Sequence, residues 1–133
     1  MIIDYNLQFS DAQAETTQTT HVSDNVVDCG IADANFGDAD VALVCRVNTA
    51  FTSNGAGTLT AALTECDTAD GSYTVIAQSK AHALSTLVKG KDLLCINLPR
   101  IHQRYLNVLY TIGGAAMTAG AVDAFLTCDP QTN

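Results

Sequence analysis

The chain has 133 residues and a mass of 14.0 kDa, and 47% of its residues are hydrophobic. This size and composition indicate one globular domain, and they exclude a disordered chain; the sequence shows neither an apolar run of the roughly 18 residues that a membrane span needs nor the basic and apolar regions of a signal peptide. The net charge of −8, with only six Lys and Arg residues, argues against a dedicated nucleic-acid binder.

The first segment, residues 1–24, is predicted to be an N-terminal edge strand followed by an extended arm. The period-two pattern of a strand, which can pair with its own sheet or with that of a neighbour, is formed by Ile3, Tyr5, Leu7 and Phe9. The same alternation also favours Phe9 as a core residue. Residues 10–24 are polar and rich in threonine, so we expect them to contribute almost nothing to a core and to lie extended on a surface.

From residue 25 onward, period-two alternation dominates and predicts seven or eight short strands. The strong patterns cover residues 41–48, 58–64, 105–112 and 121–128, each with one buried face, and the weaker ones cover 25–29, 73–78, 82–88 and 93–98. Residues 81–88 also fit one or two helical turns. Turn-forming residues separate the strands, and no amphipathic helix of ten residues is present, so residues 25–133 are predicted to form an antiparallel sandwich or barrel.

Charge is distributed unevenly along the chain. Residues 1–45 contain eight acidic residues and no Lys or Arg, whereas residues 46–133 contain six of each sign. Such asymmetry can steer docking onto a charged partner, although two solvated faces without any partner are equally consistent with it. For Arg104, a contact with a partner and a role in pinning a loop within the domain stay equally open; Arg100 and Lys80 are expected at the surface.

The residues that carry chemistry do not form a recognisable active site. The five cysteines include no C-x-x-C pair, and we expect free thiols in a reducing compartment, with Cys45 and Cys95 buried in apolar strands. No motif for nucleophilic catalysis, nucleotide binding or a catalytic metal occurs. A Cys–His pair formed in space would make the chain a small enzyme, and this is the least favoured hypothesis.

A carbohydrate- or calcium-dependent binding module is the alternative function. Residues 33–40 place acidic and amide side chains around a glycine, as a calcium loop does, but no glutamate closes the loop, and glycine-containing turns have the same composition without an ion. The absence of tryptophan and the low aromatic content disfavour a sugar platform. No metal and no cofactor is therefore predicted.

Several runs in a fixed order resemble the capsid cement, or head decoration, proteins of tailed bacteriophages. These runs, between about residues 7 and 129, are FSDAQA at 9–14, VDCG at 27–30, VNTAFT at 47–52, GTLT at 57–60, LP at 98–99, RYLNVLY at 104–110 and TAGAVDAFL at 118–126. The resemblance implies a jelly-roll sandwich without enzymatic activity that forms homo-oligomers, dimers or trimers. It further implies a location on the outer capsid surface, where the protein would bridge subunits of the major capsid protein after assembly in the host cytoplasm.

Neither nucleic acid nor membrane is an expected partner. The residues expected to contact partners are the apolar N-terminal set and the basic set: Ile2, Ile3, Tyr5, Leu7, Phe9, Lys80, Lys89, Lys91, Arg100 and Arg104.

Overall fold

The computed structural model describes residues 3–17, 19–36 and 40–131, and within these ranges the chain is an antiparallel all-β sandwich. The strands are β1 Gln8–Ala14, β2 Thr20–Val22, β3 Val27–Asp28, β4 Ala42–Ser53, β5 Thr58–Cys66, β6 Thr74–Gln78, β7 His82–Ala83, β8 Asp92–Asn97, β9 Tyr105–Gly113 and β10 Met117–Thr127. Single turns of 3-10 helix cover Tyr5–Leu7 and Leu84–Thr86. Neither of these described turns has the length and apolar content that a membrane crossing requires.

Two sheets face each other, and the chain passes repeatedly from one to the other. The first sheet has the order β1-β10-β4-β8, and the second has the order β2-β9-β5-β6, with β3 also on β9 and β7 also on β5. Connections that cross repeatedly from one sheet of a sandwich to the other are typical of a jelly roll. The predicted fold class is therefore confirmed.

The core lies between the inner faces of both sheets, as the alternation predicted. Buried positions of the four long strands include Leu43, Cys45 and Val47; Leu59, Ala61 and Leu63; Leu106, Val108, Tyr110 and Ile112; and Val122, Ala124 and Leu126. One part of that prediction is wrong, because β4, β5 and β10 are buried on both faces rather than on one over residues 42–45, 61–64 and 124–127. Val44 lies between two neighbouring strands, opposite Phe125 of β10 and Cys95 of β8.

The N-terminal segment is part of the sandwich. Residues 5–7 form a 3-10 turn in place of the expected strand, since the Asp4 carboxylate accepts a hydrogen bond from the Asn6 amide at 2.9 Å. β1 pairs with β10 and β2 pairs with β9, so residues 8–22 contribute an edge strand to each sheet. As expected, none of the described residues 10–24 belongs to the hydrophobic core, but the polar side chains of Ser10 and Glu15 are buried.

All five cysteines are free thiols, as expected, but they are not all buried. Cys45 and Cys66 are buried, whereas Cys95 and Cys128 are exposed. Cys95 lies on the edge strand β8 next to the buried Leu94, so strand alternation turns its side chain outward. The prediction of a buried Cys95 is therefore wrong.

Candidate functional site

Two loops at one end of the sandwich are joined into a single surface, here called the paired-loop end (residues 28–36 and 98–104). The Cys29 amide donates to the Arg104 carbonyl at 2.9 Å, and the Asp33 amide donates to the His102 carbonyl at 2.8 Å. The Asp33 carboxylate accepts in return from the His102 amide at 2.8 Å. Asp33 holds a left-handed backbone at φ 54°, which aspartate tolerates better than most residues. These bonds fix the positions of the two loops relative to each other.

The paired-loop end exposes two large apolar side chains. Ile31 is 68% exposed and Ile101 is 85% exposed, the latter being the largest exposure among the large hydrophobic residues described. Ile31 lies between Cys29 and Asp33, whose amides form the two bonds that join the loops, and Ile101 is next to His102. The backbone of both isoleucines is therefore held by these bonds. Rigidly held apolar side chains surrounded by polar groups are the usual anatomy of a protein–protein contact.

The charged side chains around these isoleucines are paired within the domain. Arg104 binds both carboxylate oxygens of Asp28, at 2.8 and 3.0 Å, and its guanidinium lies 5.0 Å from the centre of the Tyr105 ring. The hydrogen bond from Arg104 lowers the pKa of Asp28 to about 2. Of the two roles left open for Arg104, the structure shows the one that pins a loop within the domain.

Further charges at this end also have partners. Arg100 lies 3.7 Å from Asp40, with both side chains largely in solvent. The Glu65 carboxylate accepts a hydrogen bond from the Gln103 amide at 2.9 Å. A partner that covers the paired-loop end therefore meets charges that are already compensated, so an apolar contact there leaves few of them unpaired.

A cleft of about 200 Å³ lies between the two loops. Its lining is mixed, with Asp33, Ala34, Asn35, Phe36, Asp40, Val41, Leu98, Pro99 and Arg100. This volume is below the roughly 300 Å³ at which small-molecule pockets usually begin. Beneath the loops, His102 is buried; its Nδ1 donates to the Gln103 carbonyl at 2.7 Å, and its Nε2 has no hydrogen-bond partner among the described residues.

The calcium loop considered from the sequence lies partly outside the described residues, which exclude positions 37–39. Of its remaining acidic residues, Asp33 caps the His102 amide and Asp40 faces Arg100. In the described ranges, no three His, Cys, Asp or Glu side chains are grouped as metal ligands.

The residues expected to contact partners fall into separate groups. Ile2 lies outside the described residues, Phe9 is fully buried in the core, and Leu7 packs partly against it, whereas Ile3 and Tyr5 are exposed. Because β1 begins where β10 and β8 end, Ile3 and Tyr5 lie at the same end of the sandwich as Arg100 and Arg104.

The basic residues do not form one patch. The exposed Lys89 and Lys91 precede β8 and Arg100 follows it, so the six residues of β8 separate them by about 20 Å. Lys80 is exposed beyond β6, at the edge of the other sheet.

A buried chain of polar side chains lies under the β1–β2 side, and sequence reasoning missed it. Tyr110 donates to the Ser10 hydroxyl at 2.8 Å, and Ser10 donates to Gln13 Oε1 at 2.6 Å. Gln13 Nε2 donates to Glu15 at 2.8 Å, and the other oxygen of Glu15 lies 2.8 Å from His21 Nδ1. Burial raises the pKa of both Glu15 and Tyr110. The Tyr110–Ser10 bond joins β9 of the second sheet to β1 of the first, and the Glu15–His21 contact joins the segment after β1 to β2, so the chain of bonds holds the two sheets together.

No pattern in the sequence marks either cluster. Ser10, Gln13 and Glu15 have the composition of a surface segment, and only their pairing in space allows them to be buried. Ile31 and Ile101 are single apolar residues in loops, which is ordinary at a protein surface until both prove to lie on one joined segment.

A protein-family model matches most of the chain. The model of the Bbp16 family, a phage-like protein family, matches residues 9–126. The match spans the sandwich from β1 to β10 and includes the buried polar chain and both segments of the paired-loop end. No curated protein matches the chain.

Proposed function

The chain belongs to the Bbp16 family, and from this premise we propose that it is a capsid cement protein of a tailed phage. In this role it acts without enzymatic activity, binds the outer surface of the head as a homo-oligomer, and bridges neighbouring subunits of the major capsid protein. The order of sequence runs that resembles cement proteins supports this proposal, because it extends over nearly the same part of the chain as the family match.

The observation that carries the proposal is the pair of isoleucines on the paired-loop end. Complete burial of an isoleucine side chain contributes about 1.5–3 kcal/mol, so Ile31 and Ile101 together offer a few kcal/mol of contact energy. That amount gives a weak single attachment. Many copies that each grip two capsid subunits would still resist the outward pressure of packaged DNA, because their contacts act together.

The proposed capsid contact is tested by binding to capsid shells that lack the protein. We expect Ile101→Asp to reduce cosedimentation affinity at least about tenfold, since it places a charge where an apolar side chain would be buried. Val88→Asp is the matched control, because Val88 is also exposed but lies in the loop before β8, at the opposite end of the sandwich.

Both variants should melt at the wild-type temperature, since both positions face solvent. Equal loss of binding in Ile101→Asp and Val88→Asp would reject the paired-loop end as the contact. A wild-type protein that does not sediment with shells would reject the cement role itself.

A further inference from the structure

β6 is the edge strand of the second sheet, and it carries no charge. Its sequence, Thr74 to Gln78, contains neither a charged residue nor proline, and among the described strands it pairs only with β5. Val75 is 44% exposed on this edge. Edge strands that stay unpaired are usually protected by charges, proline, bulges or very short length, and β6 has one register shift but neither charge nor proline, so it is less protected than β1.

β1, an edge strand of the first sheet, is protected against such pairing. β1 contains two register shifts against β10, Ala12 has a positive φ of 48°, and the Ala12 amide donates to Asp123 at 2.7 Å. In the second sheet, the edge strand β2 has three residues, and its Val22 carbonyl accepts a hydrogen bond from the Gln13 side chain at 2.9 Å. The edge formed by β1 and β2 therefore uses these polar groups inside the domain.

β8, the remaining edge of the first sheet, has cations beyond both of its ends. Lys91 precedes it and Arg100 follows it. β8 itself begins with the charged Asp92, and charged side chains on or beside an edge strand disfavour pairing with another strand.

The ends of β6 have opposite charges. The turn before the strand contains Asp70, and Lys80 follows the strand by two residues. Neither forms a salt bridge with another described residue. When two copies of β6 run antiparallel about a twofold axis at Ile76, Lys80 of each copy lies beside the turn at Asp70–Ser72 of the other.

We propose that β6 is the self-association surface of this protein and that its occupant is β6 of a second copy, paired antiparallel. The contact extends the second sheet through both molecules. This proposal deepens the proposed function and rests on it, because the cement role is what brings copies together on the capsid.

The contact is short. β6 has five residues and one register shift of its own, between Val75 and Ala77, so the pairing alone buries less than a standard interface. We therefore expect a dimer that dissociates on dilution, and the attachment of both copies to one capsid would strengthen it.

The first test is light scattering coupled to size-exclusion chromatography over a range of concentrations. Val75→Lys should raise the dimer dissociation constant at least about tenfold, because each lysine then lies opposite Ala77 of the other copy and diagonally beside the other lysine on the same face. Val22→Lys is the matched control: Val22 is also an exposed valine, on the opposite edge of the same sheet, and its substitution should leave the dimer intact.

A charge swap identifies the strand directly. Lys80→Asp and Asp70→Lys should each weaken the dimer, and the double variant should recover it, because the pair then attracts again with reversed signs. Dissociation by Val22→Lys in place of Val75→Lys, or failure of the double variant to recover, would overturn the assignment of β6.

Capsid binding separates the two proposals. A wild-type chain that binds shells but is monomeric at every concentration overturns the β6 contact and leaves the cement role standing. A dimer that Val75→Lys disrupts, in a protein that ignores shells, supports the β6 contact and overturns the cement role.

Discussion

On the β1–β2 side of the sandwich, the edge strands direct their polar groups inward, whereas β6 on the other side leaves a plain strand facing solvent. On the first side, Gln13 bonds to Val22 and Glu15, and the Ser23 and Asn25 amides donate to the Val108 and Phe9 carbonyls, which joins the two sheets. On the other side, no charged residue interrupts β6. The difference teaches that apolar alternation by itself does not identify an open edge, because Phe9, the last residue of the alternating N-terminal segment, is buried in the core, and the strand that contains it is paired within the domain.

The largest effect expected from this comparison is on Phe9, which the alternation placed both in a core and at an interface. Phe9→Ala should lower the free energy of unfolding by about 3–5 kcal/mol, because the side chain is fully buried between the sheets. The exposed Val75 provides the control, and Val75→Ala should change that free energy by no more than about 0.5 kcal/mol. Urea unfolding followed by circular dichroism measures both, and a larger cost for Val75→Ala would reverse the roles of the two edges.

The parts of the fold that the sequence predicts are those in which a residue's environment follows from its neighbours in the chain. Leu59, Ala61 and Leu63 occupy alternate positions of β5, and all three are buried, as the alternation predicts. β4 does not follow this rule, because the alternation placed Val44 on the exposed face, whereas Val44 is buried. It lies in the middle of its sheet, next to strands from distant segments of the chain.

The candidate sites were beyond the reach of such patterns. Asp28 and Arg104 are 76 positions apart, so nothing local announces that they bind each other. Glu15 has the sequence context of a solvated acid and is only 1% exposed, because Gln13 and His21 supply its hydrogen bonds. Composition could favour a structural protein over an enzyme, but it could not show which loops would meet to present the isoleucines.

A smaller effect is expected from two glutamines on opposite edges. Gln13→Ala removes the side chain that joins Ser10, Glu15 and Val22, so buried polar groups lose their partners and the free energy of unfolding should fall by about 1–3 kcal/mol. Gln78→Ala, at the exposed end of β6, should stay within about 0.5 kcal/mol of wild type. Equal costs in chemical denaturation would mean that the buried polar chain does not hold the β1–β2 side together.

The smallest effect is a pH dependence confined to the β1–β2 side. Burial raises the pKa of Glu15 above its ordinary value of 4.5, so folding favours the protonated carboxyl. The stability that this group contributes is complete below pH 4.5 and is lost as the pH rises through the raised pKa. The pKa of Asp28 is lowered to about 2, so the stability that Asp28 contributes is present above its ordinary pKa of 3.8 and is lost as the pH falls towards 2. The pH ranges of the two contributions therefore do not overlap.

Glu15→Gln should therefore flatten the loss of stability that begins above pH 4.5, because glutamine keeps the shape of the side chain without titrating. His21 and Asp24 are the titratable neighbours of Glu15, and both are unchanged in this variant. The slope of the unfolding free energy against pH is the quantity to compare, since any fixed cost of the substitution cancels in it. An unchanged slope would mean that the Glu15 carboxylate is as well solvated as one at the protein surface. The contrast between the two sides of the sandwich would then rest on packing alone.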